Sequence, residues 1–141
     1  MKEVLIEIEG TQQYPDSDVE KTSLTTKGTL SFSKDKVLIA YSESELIGAS
    51  DVKSEIVIEN NGLVTLTRSG GMQSRLIIEK GRRHSCLYNT PQGDFVMGFF
   101  GDKINCQIDE NGGSLYMSYT IDVNSGLLSK NTMKIQVKEI I

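Results

Sequence analysis

Five side chains with chemistry to offer fall on the core-facing phase of otherwise apolar runs. They are Tyr41 and Glu43 beyond Val37 and Ile39, Arg68 beyond Leu66, Tyr88 in phase with His84 and Cys86, and Tyr119 between Met117 and Ile121. A cation, a carboxylate and three phenols on one inward surface can orient a polar head group while apolar neighbours take the rest of a ligand, the usual division of labour in a small-molecule pocket. Charges are rarely buried unless paired. The same residues therefore also fit strand ends, where an inward phase already reaches water, or internal pairs that close the interior.

Other constellations carry less. His84 and Cys86 stand two apart, face the same way on a strand, and offer a thiolate–imidazole pair or two metal ligands. Structural zinc takes about four ligands, and with one His and two Cys in the chain only Cys106 is left to add a third. Cys86 is read as a small buried hydrophobe and His84 as a partly exposed strand residue, with no metal or cofactor expected. No triad, metal cage or nucleotide motif is found, so a non-enzymatic protein is expected, any acid–base chemistry resting on Glu43 or His84.

The basic cluster Lys80-Gly81-Arg82-Arg83-His84 straddles a turn, and alternation sends Arg82 and Arg83 to opposite faces, which leaves a solvated turn rather than a phosphate site. Gly70-Gly71, Gly112-Gly113 and Gly98-Phe99-Phe100-Gly101 open no helix, so they cannot aim helix N-terminal amides at an anion. They read as turns, and Gly98 as a close approach inside the barrel. Phe99 and Phe100 in succession point to opposite faces, which puts one ring outside as a contact for self-association or a cover element.

The elements that must position these residues are short alternating runs closed by Gly, Asn or Asp clusters. Strands are expected over 3–9 and 20–32, with Gly28 marking a bend or bulge, and through Val37, Ile39 and Tyr41. Residues 48–51 have room for one helical turn. Ile56 and Ile58 lead into Asn60-Asn61-Gly62, which predicts a tight hairpin with a two-residue turn. Further strands follow at 63–68, 72–78, 82–88, 94–100 and 104–108, then Leu115 to Val123 with its odd-numbered residues inward, then Met133, Ile135 and Val137. The segment 10–18 lacks periodicity and reads as an exposed loop. Connections this short argue for an all-β, single antiparallel up-and-down barrel of about eight to ten strands, whose closure removes sheet edges and whose interior holds a small ligand or its own side chains.

A chain of 141 residues fits one domain over 1–141. With 15 Lys+Arg against 19 Asp+Glu the net charge is −4 and the pI about 5.0, which argues against a nucleic-acid partner. The alternating start, Met1 to Glu9, is not a secretory signal, no apolar run is long enough for a membrane helix, and 6% aromatics without Trp do not make the girdles of an outer-membrane barrel. A cytoplasmic protein is expected, with no membrane partner. Cys86 and Cys106 are placed two strands apart, about 9.5 Å, beyond the roughly 7 Å that a disulfide spans, so free thiols are expected.

Tyr41-Ser42-Glu43, Ile56-Val57-Ile58, Val64 to Gly70, Tyr88-Asn89-Thr90-Pro91-Gln92-Gly93 and Ser118-Tyr119-Thr120 together resemble the YwiB-like family of uncharacterised bacterial proteins, over nearly the whole chain. Gln92 departs from the family's usual Thr-Pro-Tyr-Gly turn. The resemblance implies a calycin-type barrel, related in architecture to lipocalins, and no activity or catalytic residue. The expectation is a binding barrel for a small amphipathic molecule using Tyr41, Glu43, Arg68, Tyr88 and Tyr119. The competing expectation is a side-chain-filled barrel that self-associates as a homodimer or binds another protein.

Overall fold

A computed structural model describes residues 2–42, 53–69, 74–91, 93–124 and 126–140; the side chains of 74, 88–90, 127 and 128 lie outside that description, as does the expected helical turn at 48–51. Ten strands are described: β1 (Lys2–Gln13), β2 (Glu20–Phe32), β3 (Lys36–Ser42), β4 (Lys53–Glu59), β5 (Val64–Ser69), β6 (Ser74–Ile78), β7 (Arg83–Thr90), β8 (Gly93–Asp109), β9 (Gly112–Val123) and β10 (Gly126–Glu139). All ladders are antiparallel and join one sheet in the order β6-β5-β4-β3-β2-β1-β10-β9-β8-β7, with the first strand paired to the last. The sheet curls until β6 meets β7 and β8. The Arg82 N–H donates to the Glu79 carbonyl at 3.2 Å and the Gly81 N–H to the Gly101 carbonyl at 2.8 Å. Along that seam, among the described residues, only isolated bridges form, Glu79 with Arg82 and Lys80 with Gly101. The barrel is nearly closed, not seamless.

Alternation places one side chain in two on the inside, and the register stacks those side chains in rows. Val37, Ile58, Val64 and Ile78 form the lowest row of the β3–β6 wall, and Leu30, Ile39, Ile56, Leu66 and Leu76 the next. Val4, Ile6, Leu115, Met117, Ile135 and Val137 fill the space from the facing wall, all buried. Each fully buried aliphatic side chain of this kind stabilises the fold by about 1.5–3 kcal/mol. The β2–β3, β4–β5 and β8–β9 turns lie at the lower end of the barrel.

Several local expectations change. Ladder registers run through Gly28 without a shift, so there is no bulge there. A Cβ at Gly28 would lie 2.3 Å from the Ala40 carbonyl oxygen and 2.6 Å from the Ile6 Cδ1, which is why the position has none. The β4–β5 connection is a three-residue loop: the Gly62 N–H closes a turn on the Glu59 carbonyl, and the Glu59 N–H then bonds the Leu63 carbonyl. Gly62 takes φ +89°, the left-handed residue that makes the bulge of such a loop.

The two runs 94–100 and 104–108 are one strand, β8, interrupted by a register shift between Gly101 and Lys103. Thr120 donates its hydroxyl to the Asp102 carboxylate within that bulge, at 3.1 Å. Gly98 faces outward, not into the barrel: Arg83 lies across it and chelates Asp122 through Nε at 2.9 Å and Nη2 at 2.7 Å, leaving no room for a Cβ. Phe99 is buried and Phe100 exposed, so alternation through the pair holds.

Candidate functional site

Moving up the β2–β6 wall, the row after Leu30, Ile39, Ile56 and Leu66 changes character. Gly28 pairs with Tyr41, Tyr41 with Ser54, and Ser54 with Arg68 in one continuous cross-strand line. Directly opposed residues share a face of the sheet, so this row turns a phenol, a hydroxyl and a guanidinium toward one volume. Ser54 is buried, Tyr41 half-buried and packed on the core, and Arg68 exposed at the strand end. All three are engaged with neighbours.

From the opposite wall come Tyr119 on β9 and Met133 on β10. Tyr119 pairs with Asn131, whose side-chain amide donates to the Ser129 hydroxyl at 3.0 Å in a buried contact, so a polar layer continues across this wall too. Between the walls is a cavity of about 210 Å³, lined by Tyr41, Ser54, Arg68 and Tyr119 with the apolar Ile56, Leu66, Leu76 and Met133. Glu55 and Thr67 complete its lining.

Tyr119 stands out within it. The residue is only 7% exposed, and burial alone raises its phenol above the ordinary tyrosine range. Its hydroxyl finds no hydrogen-bond partner among the described residues, while no polar side-chain atom among them is both sealed from solvent and unpartnered. The hydroxyl is therefore a neutral donor and acceptor at ordinary pH, accessible and uncommitted, in a pocket whose one cation, Arg68, carries five N–H donors.

Three of the five residues expected to form a site, Tyr41, Arg68 and Tyr119, thus line one cavity. Glu43 lies outside the described residues. Tyr88 sits on β7 opposite Phe95, with its side chain outside the description. Ser54 and the buried Ser129 and Asn131 escaped the sequence reading, although carrying the phases of Ile56–Ile58 and Met133–Val137 further along their strands would have reached them.

The remaining chemistry is spent internally. His84 Nε2 meets the Glu79 carboxylate at 2.8 Å, and the Cys86 thiol, half-buried rather than buried, donates to the Arg75 carbonyl at 3.6 Å. Cys86 and Cys106 are both free, for a different reason from the one expected. They occupy neighbouring strands, but Cys86 pairs with Met97, far down β8 from Cys106. Among the described residues no group of three or more His, Cys, Asp or Glu is placed to hold a metal ion, and no helix is long and apolar enough to cross a membrane.

Residues 6–135 match the family described as Domain of unknown function (DUF1934). The chain belongs to this family. It is also similar to the crystal structure of ywiB protein from Bacillus subtilis, with a TM-score of 0.76 and 18% identity, over 99% of this chain and 93% of that one. At that identity the likeness speaks for the fold, a calycin-like barrel, as the YwiB-like resemblance implied. No curated protein matches the chain.

Proposed function

We propose that this protein is a non-enzymatic, cytoplasmic binding barrel that holds a small, partly apolar ligand at its upper end. The observation that carries this reading is the cross-strand row Tyr41–Ser54–Arg68 facing the unpartnered Tyr119 hydroxyl across a cavity with aliphatic walls. Arg68 and the hydroxyls take a polar or anionic head, and Leu66, Leu76 and Met133 take the apolar part. A volume of about 210 Å³ is below the roughly 300–1,000 Å³ of drug-sized pockets, so the ligand is small or enters by one end only. Glu43 and Tyr88 remain part of the proposed mouth. The net charge of −4 argues against nucleic acid, and free thiols suit a reducing compartment.

Native mass spectrometry of the protein purified from its own host tests the proposal. A retained small mass on the wild type that is lost in Arg68→Leu and weakened in Tyr119→Phe supports it. A bare polypeptide mass, with no thermal shift from a panel of small carboxylates and alcohols, counts against it. The competing reading, a filled barrel acting in assembly, draws support from Leu87 (63% exposed), Val96 (42%) and Phe100 (38%) on the outside of β7 and β8.

A further inference from the structure

A second concavity, about 360 Å³, opens at the lower end, away from the cavity just described; Phe32, Val37 and Ile58 line one side and Ile104, Cys106 and Ile108 the other. It exists because β8 outlasts its neighbour. Pairing with β7 covers Gly93 to Phe100, whereas pairing with β9 continues to Asp109. From Lys103 to Asp109, no strand among the described residues pairs with the edge of β8 that faces away from β9. The side chains register the missing wall. Cys106 shares the inward phase of Ile104 and Ile108 and pairs with the fully buried Leu115, yet it is exposed. Phe32, across the groove, is 49% exposed. A strand edge with unused N–H and C=O groups is a template for another strand.

The sequence of that edge says which strand fits. Lys103-Ile104-Asn105-Cys106-Gln107-Ile108-Asp109 carries the same chemistry read from either end about Cys106: cation against carboxylate, Ile against Ile, amide against amide, thiol against itself. We propose that a second copy of this chain docks here, its β8 antiparallel to the first, with the two-fold axis through Cys106. Lys103 then lies opposite the partner's Asp109, Ile104 opposite the partner's Ile108, and the two Cys106 side chains face each other. A two-fold interface is self-complementary by construction, and this segment meets that condition residue by residue. The two Lys–Asp pairs at the ends fix the register, because sliding by two residues separates both. Asp109 is held in place by accepting the Asn111 N–H at 2.8 Å. Ile104, Cys106 and Phe32 lose their exposure to water as the partner's strand enters the groove.

Sedimentation velocity on the full chain across a concentration series tests this, with circular dichroism to confirm that each variant folds. The wild type sediments as a dimer. Lys103→Asp and Asp109→Lys each turn both end pairs from attraction to repulsion and weaken the dimer by about tenfold or more. An equimolar mixture of those two variants regains it, since an acidic edge then meets a basic one. In a Cys86→Ser background, the diazene oxidant diamide yields a dimer linked through Cys106, the two thiols giving up their hydrogens as the diazene becomes a hydrazine. A monomer at every concentration overturns the proposal. So does a dimer indifferent to both charge reversals and not cross-linked through Cys106, which would place the interface elsewhere, for instance on Leu87, Val96 and Phe100.

Discussion

Along β4 one alternation carries Ile58 and Ile56 into packed interior and then Ser54 into the cavity; along β5 it carries Val64 and Leu66 inward and ends on Arg68. The lower rows and the upper row share strands, twist and register, and differ only in which side chains the inward positions hold. The contrast separates two tasks within one wall. Aliphatic rows exclude water and hold the barrel together, and the polar row above leaves a volume with hydrogen-bonding groups aimed into it. Stability and recognition are stacked along the barrel axis, so substitutions a single row apart should have effects of different kind.

The largest separation is expected from truncation in the lower rows. Ile39→Ala or Leu115→Ala, both at fully buried positions, should lower unfolding free energy by about 2–5 kcal/mol in urea titrations, while Arg68→Leu leaves the urea midpoint nearly unchanged and removes ligand. Equal losses from the two rows would erase the distinction. Next comes the boundary itself. Gly28 opens the polar row but lies against the Ala40 carbonyl and Ile6, so Gly28→Ala should cost about 1–3 kcal/mol by overpacking; an unchanged midpoint would show the wall at Gly28 to be looser than its contacts imply.

A smaller effect, visible only at alkaline pH, belongs to Tyr119. Its folded-state pKa is raised by burial, so the neutral form is favoured in the barrel and an unfolded chain releases that proton first. Below the unfolded value of about 10 the residue contributes no pH dependence, and stability falls as pH rises from there through the folded pKa. Tyr119→Phe should abolish that alkaline loss, with little change at neutral pH because the hydroxyl has no partner to lose. Thermal melts between neutral and strongly alkaline pH, with phenolate absorbance followed in parallel, measure both. The smallest effect is expected at the seam, where Glu79→Gln should cost less than about 1 kcal/mol, since its contact with His84 is partly exposed.

Much of the wall was legible as sequence because alternation is a local signal. The inward set Leu115, Met117, Tyr119 and Ile121 is buried as its two-residue period required, and Tyr41 and Arg68 could be recognised as polar residues continuing apolar phases. The glycines were harder. Gly28, Gly98 and Gly101 read alike in one dimension. In space they admit an Ile6 methyl and the Ala40 carbonyl, the Arg83 guanidinium, and the Glu79 backbone respectively. The bulge after Gly101 shows the same limit: inward residues are odd-numbered before it and even-numbered after it on β8, and one inserted residue makes a continuous strand look like two.

By itself, then, the sequence determined strand content, the inward phase of most strands and the polar character of certain inward positions, because each depends on neighbours two residues away. Tertiary structure decided which rows align. Bringing Tyr41, Ser54, Arg68 and Tyr119 around one cavity depends on ladder register and on how far the sheet curls. Leaving the far half of β8 without a second partner depends on where β7 begins. Both follow from closing a twisted sheet of unequal strands, a global geometric condition that no local period encodes.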